Sequence, residues 1–346
     1  MINVIGILVA VLVFSILIFT HELGHFTAAK LNGIYVKEFN MGMGPKLLSR
    51  RGKNGETLYS LRAFPIGGSC LMKGEDEADD DPRSFSRKPV WRRMTVIFAG
   101  PLMNFVTAMI VFAIVFMSMG IMSDANIIGD VTSGDPAQQA GLLAGDRVLA
   151  INGASVASWS GIVTEINHQV SATPGESLNM TIQRQGQEQD IAVKPFFDEE
   201  ANRWRIGITA STEQPGLFAA MGLGVTQSYI FTKTILVGLV QMITGKVAPD
   251  VAGPVGIINI VRETVRTGWQ NILGILGILS VNLAVVNLLP LPALDGCRLV
   301  FLAAEGIRRK PFNREREGMV HFIGLMLLFG LMIVITFSDI RRLFTG

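Results

Sequence analysis

From Met1 to Thr20 the chain carries no charged side chain, and His21-Glu22 follows at once. About twenty apolar residues are what an α-helix needs to cross a bilayer. A helix satisfies its own backbone in hydrocarbon, so such a segment leaves few folds open. A secretory leader would carry a basic head and a small-residue cleavage site, and neither is present. Further apolar runs extend from about Met94 to Met122, from Ile272 to Ala304 with Pro290 and Pro292 inside, and from Met319 to Phe337. The chain of 346 residues is 49% hydrophobic and only 17% charged. The expectation is a polytopic α-helical membrane protein with about four transmembrane helices. Leu217 to Ile243 is also apolar, but Gly222, Gly224, Gly238 and Lys233 leave it open between an interfacial helix and a fifth span.

Charge orders these segments. Lys30 to Arg93 hold 13 Lys/Arg against 8 Asp/Glu, and the link before the last run carries Arg308, Arg309, Lys310, Arg314 and Arg316. Asp124 to Trp269 hold 9 Lys/Arg against 14 acids. The positive-inside rule places the two basic loops in the cytoplasm and the long stretch outside. Arg341 and Arg342 weigh weakly against that orientation.

The first basic loop reads as a β-hairpin turning at Asn54-Gly55, followed by the glycine-rich Phe64 to Met72. Irregular backbone at membrane depth must line a cavity or lie in protein, so this is expected to be a membrane-associated element dipping towards a site. Glu75 to Asp81 reads as a solvated acidic run. In the outer stretch, Ile127 to Val131, Val148 to Ile151, Leu178 to Gln183, Ile191 to Val193 and Arg203 to Ile208 alternate like strands, around a helical pattern from Trp159 to Val170. That predicts one small extracytoplasmic α/β module. Cys70 and Cys297 stand far apart in apolar surroundings, which excludes a disulfide framework or zinc ribbon.

His21-Glu22-Leu23-Gly24-His25 matches H-E-x-x-H. On a helix, positions i and i+4 share a face, so two imidazoles can bind one zinc ion while Glu22 stands near enough to act as general base. Three ionisable side chains at the end of a span are expensive and call for a function. Catalytic zinc takes a third protein ligand. His168 falls in the soluble module. His321 opens the last span and fits an interface histidine as well as a ligand. Asp295 is the better candidate, because a carboxylate so deep in an apolar run needs a compensating charge. Pro290 and Pro292 break the helix there and free backbone groups to line a site. His21, His25 and Asp295 should all fall towards the cytoplasmic face.

The chain resembles the site-2 protease family in its RseP-type bacterial branch. The resemblance rests on H-E-L-G-H, on Asn287-Leu-Leu-Pro-Leu-Pro-Ala-Leu-Asp295-Gly296, on Gly253-Pro-Val-Gly256 and on Ala99-Gly-Pro-Leu-Met-Asn104. It implies a zinc-dependent intramembrane endopeptidase of the bacterial inner membrane. Zinc ligands would be His21, His25 and Asp295, and the base Glu22. Asn287 would lie near the substrate backbone, with Gly67, Gly68, Pro290 and Pro292 also placed at the substrate. The outer module would be a single PDZ-like domain. Substrates would be membrane-anchored proteins, such as regulators of transcription or signal-peptide remnants, already trimmed outside by an upstream protease. No nucleic-acid partner is implied. Cys297 replaces a usual glycine, and a single module replaces the pair of the best-known relatives. A zinc transporter or an idle PDZ scaffold are the rival readings. A transporter should show inverted repeats, which are lacking, and has no use for Glu22.

The expected organisation runs as a first span (1–30), a cytoplasmic-side loop with the hairpin (31–92), a second span (93–123) and the outer module (124–210). Amphipathic linker helices (211–269), a third span (270–306), a basic loop (307–318) and a fourth span (319–346) complete it.

Overall fold

The uncharged opening segment forms helix α1, Val4–Leu31. The computed structural model describes residues 4–53, 55–75, 79–199, 203–247, 253–310 and 312–345. Asn54 of the expected turn and 76–78 of the acidic run lie outside the described residues. Along α1 the buried positions Gly6, Ala10, Val13, Leu17, Gly24 and Ala28 recur at steps of three, four or seven residues, a single stripe turned inward. The opposite face is apolar too, with Val4, Leu8 and Leu12 about 60% exposed, as contact with lipid requires.

The basic loop folds as the expected hairpin, β1 (Val36–Arg51) antiparallel to β2 (Leu58–Met72). Both strands bend. Residues 36–41 pair with 58–61 on one side and with 68–72 on the other, while 46–51 pair with 58–62. The bends fall at Gly42, Gly44 and Gly67, whose φ values of 86°, 87° and 84° suit glycine. Met43, Leu47, Leu48 and Phe64 are exposed on this ribbon, an apolar surface that fits an element in contact with a membrane. Ala29, Ile34, Val36, Phe39, Met72 and Ile97 form the core beneath it. Helix α2, Val90–Met119, follows.

Two units can be separated, Met1–Val115 with Leu217–Gly346, and Phe116–Gly216. The second is the α/β module. Its elements are β3 (Ile121–Met122), β4 (Ile128–Val131), α3 (Pro136–Gln139), β5 (Arg147–Ile151), β6 (Ala154–Ser155), α4 (Trp159–Ala172), β7 (Leu178–Arg184) and β8 (Gln187–Val193). β9 (Phe196–Asp198), β10 (Arg203–Arg205), β11 (Ile208–Ala210) and β12 (Thr212–Glu213) complete it. The main sheet has the order β6-β5-β7-β8, and β4 pairs with β11, β3 with β12 and β9 with β10. Ser158 caps α4 by accepting the Gly161 N–H. Ile128, Leu142, Val148, Ile151, Ile162, Met180 and Ile182 pack one core, all at most 1% exposed. Burying each such side chain is worth about 1.5–3 kcal/mol.

The chain then returns as α5 (Leu217–Ile243), α6 (Pro254–Thr264), α7 (Trp269–Leu288), α8 (Asp295–Arg308) and α9 (Arg314–Thr345). Among the described residues five helices, α1, α2, α5, α7 and α9, are long and apolar enough to cross a membrane. Four of them, α1, α2, α7 and α9, fall in the expected spans, and α5 is the segment left open between an interfacial helix and a fifth span. Its mean hydropathy is 1.3 against 1.9–2.7 for the others, because glycines and Lys233 dilute the signal. The expected third span over 270–306 is two helices instead. α7 ends at Leu288 because Pro290 and Pro292 lack the N–H a continuing helix needs, and Leu289 before Pro290 is already extended at ψ 144°. Asp295 therefore opens the amphipathic α8 rather than lying inside a continuous span. The Gly253-Pro-Val-Gly256 signature starts α6, where Asp339 of α9 accepts the N–H groups of Gly253 at 3.3 Å and Gly256 at 2.8 Å.

Candidate metal centre

One helical turn separates His21 from His25, so both rings leave the same face of α1, with centroids 4.8 Å apart and planes at 85°. α8 brings Asp295 to them. Asp295 Oδ2 lies 3.2 Å from His21 Nε2 and 3.4 Å from His25 Nε2, and the two ring nitrogens are 3.2 Å apart. Oδ2 is buried and makes no hydrogen bond. A carboxylate oxygen facing two imidazole nitrogens in that way is costly unless a cation sits among them. Tetrahedral ligand atoms about 2.0–2.1 Å from a zinc ion stand roughly 3.3–3.4 Å from one another. The three atoms fit that spacing. Among the described residues this is the group of three His, Cys, Asp or Glu side chains suited to a metal ion.

Neighbouring groups fix which nitrogen is available. His25 Nδ1 lies 2.9 Å from the Val96 carbonyl on α2 and donates its proton there, leaving Nε2 with its lone pair for a metal. The Asn104 side chain, fully buried on α2, lies 3.3 Å from His21 Nδ1 and 3.0 Å from Thr20 Oγ1. Asn104 Oδ1 accepts from Thr20 Oγ1, and Asn104 Nδ2 faces His21 Nδ1. Exchanging the amide oxygen and nitrogen, which have the same shape, lets His21 Nδ1–H donate to Asn104 and frees Nε2 for a metal, with the Thr20 hydroxyl donating to the Ile16 carbonyl at 3.0 Å. The helices can come this close because α1 and α2 meet at glycines. A Cβ on Gly24 would lie 2.2 Å from the Ala99 carbonyl oxygen, and one on Gly100 would lie 2.4 Å from His25 Nε2.

A cavity of about 320 Å³ opens on the three side chains and is lined also by Glu22, Asn287 and Arg298. The segment Ser69 to Met72 forms one wall. Gly68 lies against α1, where an added Cβ would be 3.1 Å from Glu22 Cγ. Arg298 is ion-paired with Glu75 at the cavity margin. The structure thus gathers His21, His25, Asp295, Glu22 and Asn287, with Gly68 beside them. Gly67, Pro290 and Pro292 are not in the lining: Gly67 packs on Met43, and Pro292 packs on Gly324 of α9. His321 is not with the other histidines, since its Nδ1 accepts the Ala293 N–H at 3.0 Å. The His168 side chain is 73% exposed in the module, and Cys297 is buried outside the cavity lining. Gly100 and Asn104 belong to the Ala99–Asn104 signature, which marks them without assigning either a role, and nothing local marks Val96.

The model of "Peptidase family M50" matches residues 9–331. "Zinc metalloprotease RasP" of Geobacillus kaustophilus is 34% identical, with 96% of this chain and 97% of that protein covered. "Regulator of sigma-W protease RasP" of Bacillus subtilis is 32% identical, with 96% and 98% covered. Among solved structures, the PDZ domain of an SdrC-like protein from Listeria monocytogenes matches with 22% identity and a TM-score of 0.22, over 26% of this chain and 90% of that one. A family model spanning nearly the whole chain, together with relatives a third identical along their full length, shows that the chain belongs to peptidase family M50.

Proposed function

We propose that the protein is a zinc-dependent intramembrane endopeptidase that cuts transmembrane segments of membrane-anchored proteins, with His21, His25 and Asp295 as metal ligands and Glu22 as general base. The observation that carries this reading is the convergence of the three ligand atoms, with Glu22 in the same cavity, on a helix able to cross a membrane. Relatives named zinc metalloproteases make zinc the metal of choice. Bound there, zinc supplies Lewis acidity to the scissile carbonyl and lowers the pKa of water. Glu22 takes the proton of the attacking water and delivers it to the leaving amine nitrogen. The Asn287 amide donates a hydrogen bond to the substrate backbone or to the developing oxyanion.

A helical substrate hides its carbonyls in its own hydrogen bonds and must unwind to react. Residues 68–72 pair with 36–41 along one edge and Ser69 to Met72 line the cavity, so an extended substrate segment adding to their other edge as a further strand would lie at the site. The module at 116–216 is read as a PDZ-like domain that screens substrates. Its groove of about 360 Å³, lined by Trp159, Ile162, Ile166, Trp204 and Ile208, suits an apolar chain end. The basic loops support an inner-membrane protein with the site towards the cytoplasm and the module outside. Preferred substrates are regulators or signal-peptide remnants already trimmed by an upstream protease. No observation favours a transporter or an idle scaffold.

Glu22→Gln separates binding from chemistry. The purified variant is expected to keep its zinc and to cleave a transmembrane model substrate about 10²–10⁴ times more slowly. Undiminished cleavage overturns the assignment.

A further inference from the structure

Asp295 is carried by the turn that follows α7, and that turn is held in an unfavourable shape. Ala293, two residues before it, has φ +73°, a left-handed conformation disfavoured for any residue with a Cβ. The structure over-determines this conformation from two sides. From α7, the carbonyls of Leu288 and Leu289 press so closely that a Cβ on Gly296 would lie 2.3 Å from each oxygen. From α9, His321 Nδ1 accepts the Ala293 N–H at 3.0 Å. With Nδ1 accepting, the neutral ring carries its proton on Nε2, which is buried and makes no hydrogen bond. Three residues along the same face of α9, Gly324 leaves a notch for Pro292. A Cβ there would lie 2.1 Å from Pro292 Cβ and 2.8 Å from its carbonyl carbon. α9 therefore offers this turn a recess and an acceptor, one helical turn apart.

We propose that His321 is a positioning residue for the metal centre: by accepting the Ala293 N–H it locks the left-handed turn that aims Asp295 Oδ2 at His21 and His25. The inference rests on the metal-site reading above. His321 is not itself a ligand in this arrangement. Without its acceptor the Ala293 N–H loses its partner, the residue relaxes out of the left-handed region, and the carboxylate swings away from the two imidazoles. Strain held at a functional turn by a remote contact is the situation in which such a residue matters.

The test uses the full chain in detergent, with zinc affinity read by chelator competition and ligand geometry by the visible absorption of the Co²⁺ form. His321→Leu is expected to weaken zinc binding about 10- to 100-fold and to alter the Co²⁺ spectrum. His321→Asn, whose amide oxygen can take the same N–H, is expected to recover most of both. In an Ala293→Gly background the effect of His321→Leu should shrink to a small fraction, because glycine adopts the left-handed turn unaided. Unchanged affinity and spectrum in His321→Leu overturn the proposal. So does an equal loss in both backgrounds, since the effect would then not pass through the turn. If His321→Leu does not fold, the same substitution in the Ala293→Gly background must fold and bind zinc, and its failure overturns the proposal too. An unsubstituted chain that binds no zinc would instead overturn the metal-site reading itself.

Discussion

Gly100 leaves no room for a side chain against the two histidines. A Cβ added there would lie 2.4 Å and 2.6 Å from His25 Nε2 and Cε1, and 2.9 Å from His21 Cε1. Real carbon contacts do not come so close, so a methyl must push both imidazoles off the point they share with Asp295. Gly100→Ala is therefore expected to lower zinc content at least tenfold while the chain still folds, because the helix keeps its hydrogen bonds and alanine favours it. Full zinc occupancy in that variant would show that the rings have more freedom than their packing implies. The contrast with the histidines explains what a sequence reveals at this scale. His21, Glu22 and His25 announce themselves because their spacing is local to one helix. Asp295 does so because an unpaired charge in an apolar run is costly. Gly100, Val96 and Asn104 act through the register of α2 against α1, so the Ala99–Asn104 motif marks two of them without revealing what they touch.

At the scale of elements, proline proved more informative than hydropathy. The apolar run from Ile272 to Ala304 suggested one span, yet Pro290 and Pro292 divide it into α7 and the amphipathic α8 and so place Asp295 at a helix start. There the carboxylate also meets the positive end of the helix dipole. The strands of the module were legible because alternation is local, whereas the bends that fold β1 and β2 into a ribbon depend on long-range pairing. Within the module, one ion pair ties β7 to the loop before β5. Burial pushes the Asp146 carboxyl up, but Arg184 grips both of its oxygens at 2.7 Å and the Leu143 N–H adds a bond at 2.8 Å, so its pKa falls below the usual carboxylate value. A carboxylate whose pKa is lower folded than unfolded stabilises the fold above its unfolded value, about pH 4, and the contribution fades as pH falls through the folded value. Arg184→Met leaves that buried charge unpaired and is expected to cost the module about 3 kcal/mol at neutral pH. Hydrogen exchange over residues 116–216 of the full chain measures the loss. Its size should shrink as pH falls towards 4 and below, because without Arg184 burial raises the carboxyl's pKa and the unpaired group takes up a proton, and a loss independent of pH would place the stabilisation elsewhere.

The proposed screening role of the module can be tested at the scale of the whole chain, because of the way the module is closed. β3 and β12, near the two ends of the module, pair with each other, Ile121 opposite Glu213 and Met122 opposite Thr212. Paired strands hold opposed Cα atoms about 5 Å apart. Asn126 to Ile208 can therefore be replaced by a short Gly/Ser turn that closes the same ladder, leaving α2 and α5 joined as before. Every side chain assigned to the metal centre lies in the other unit, so the shortened chain is expected to keep its zinc and to cleave a pre-trimmed substrate. If the module excludes substrates whose outer part is intact, its removal should also allow untrimmed ones to be cut. If it recruits a free chain end through its groove instead, the shortened chain should lose its preference for trimmed substrates by binding them less well, with a raised KM and an unchanged kcat. Cleavage of matched trimmed and untrimmed substrates separates the two, and selectivity unchanged on both would mean that the module does not screen.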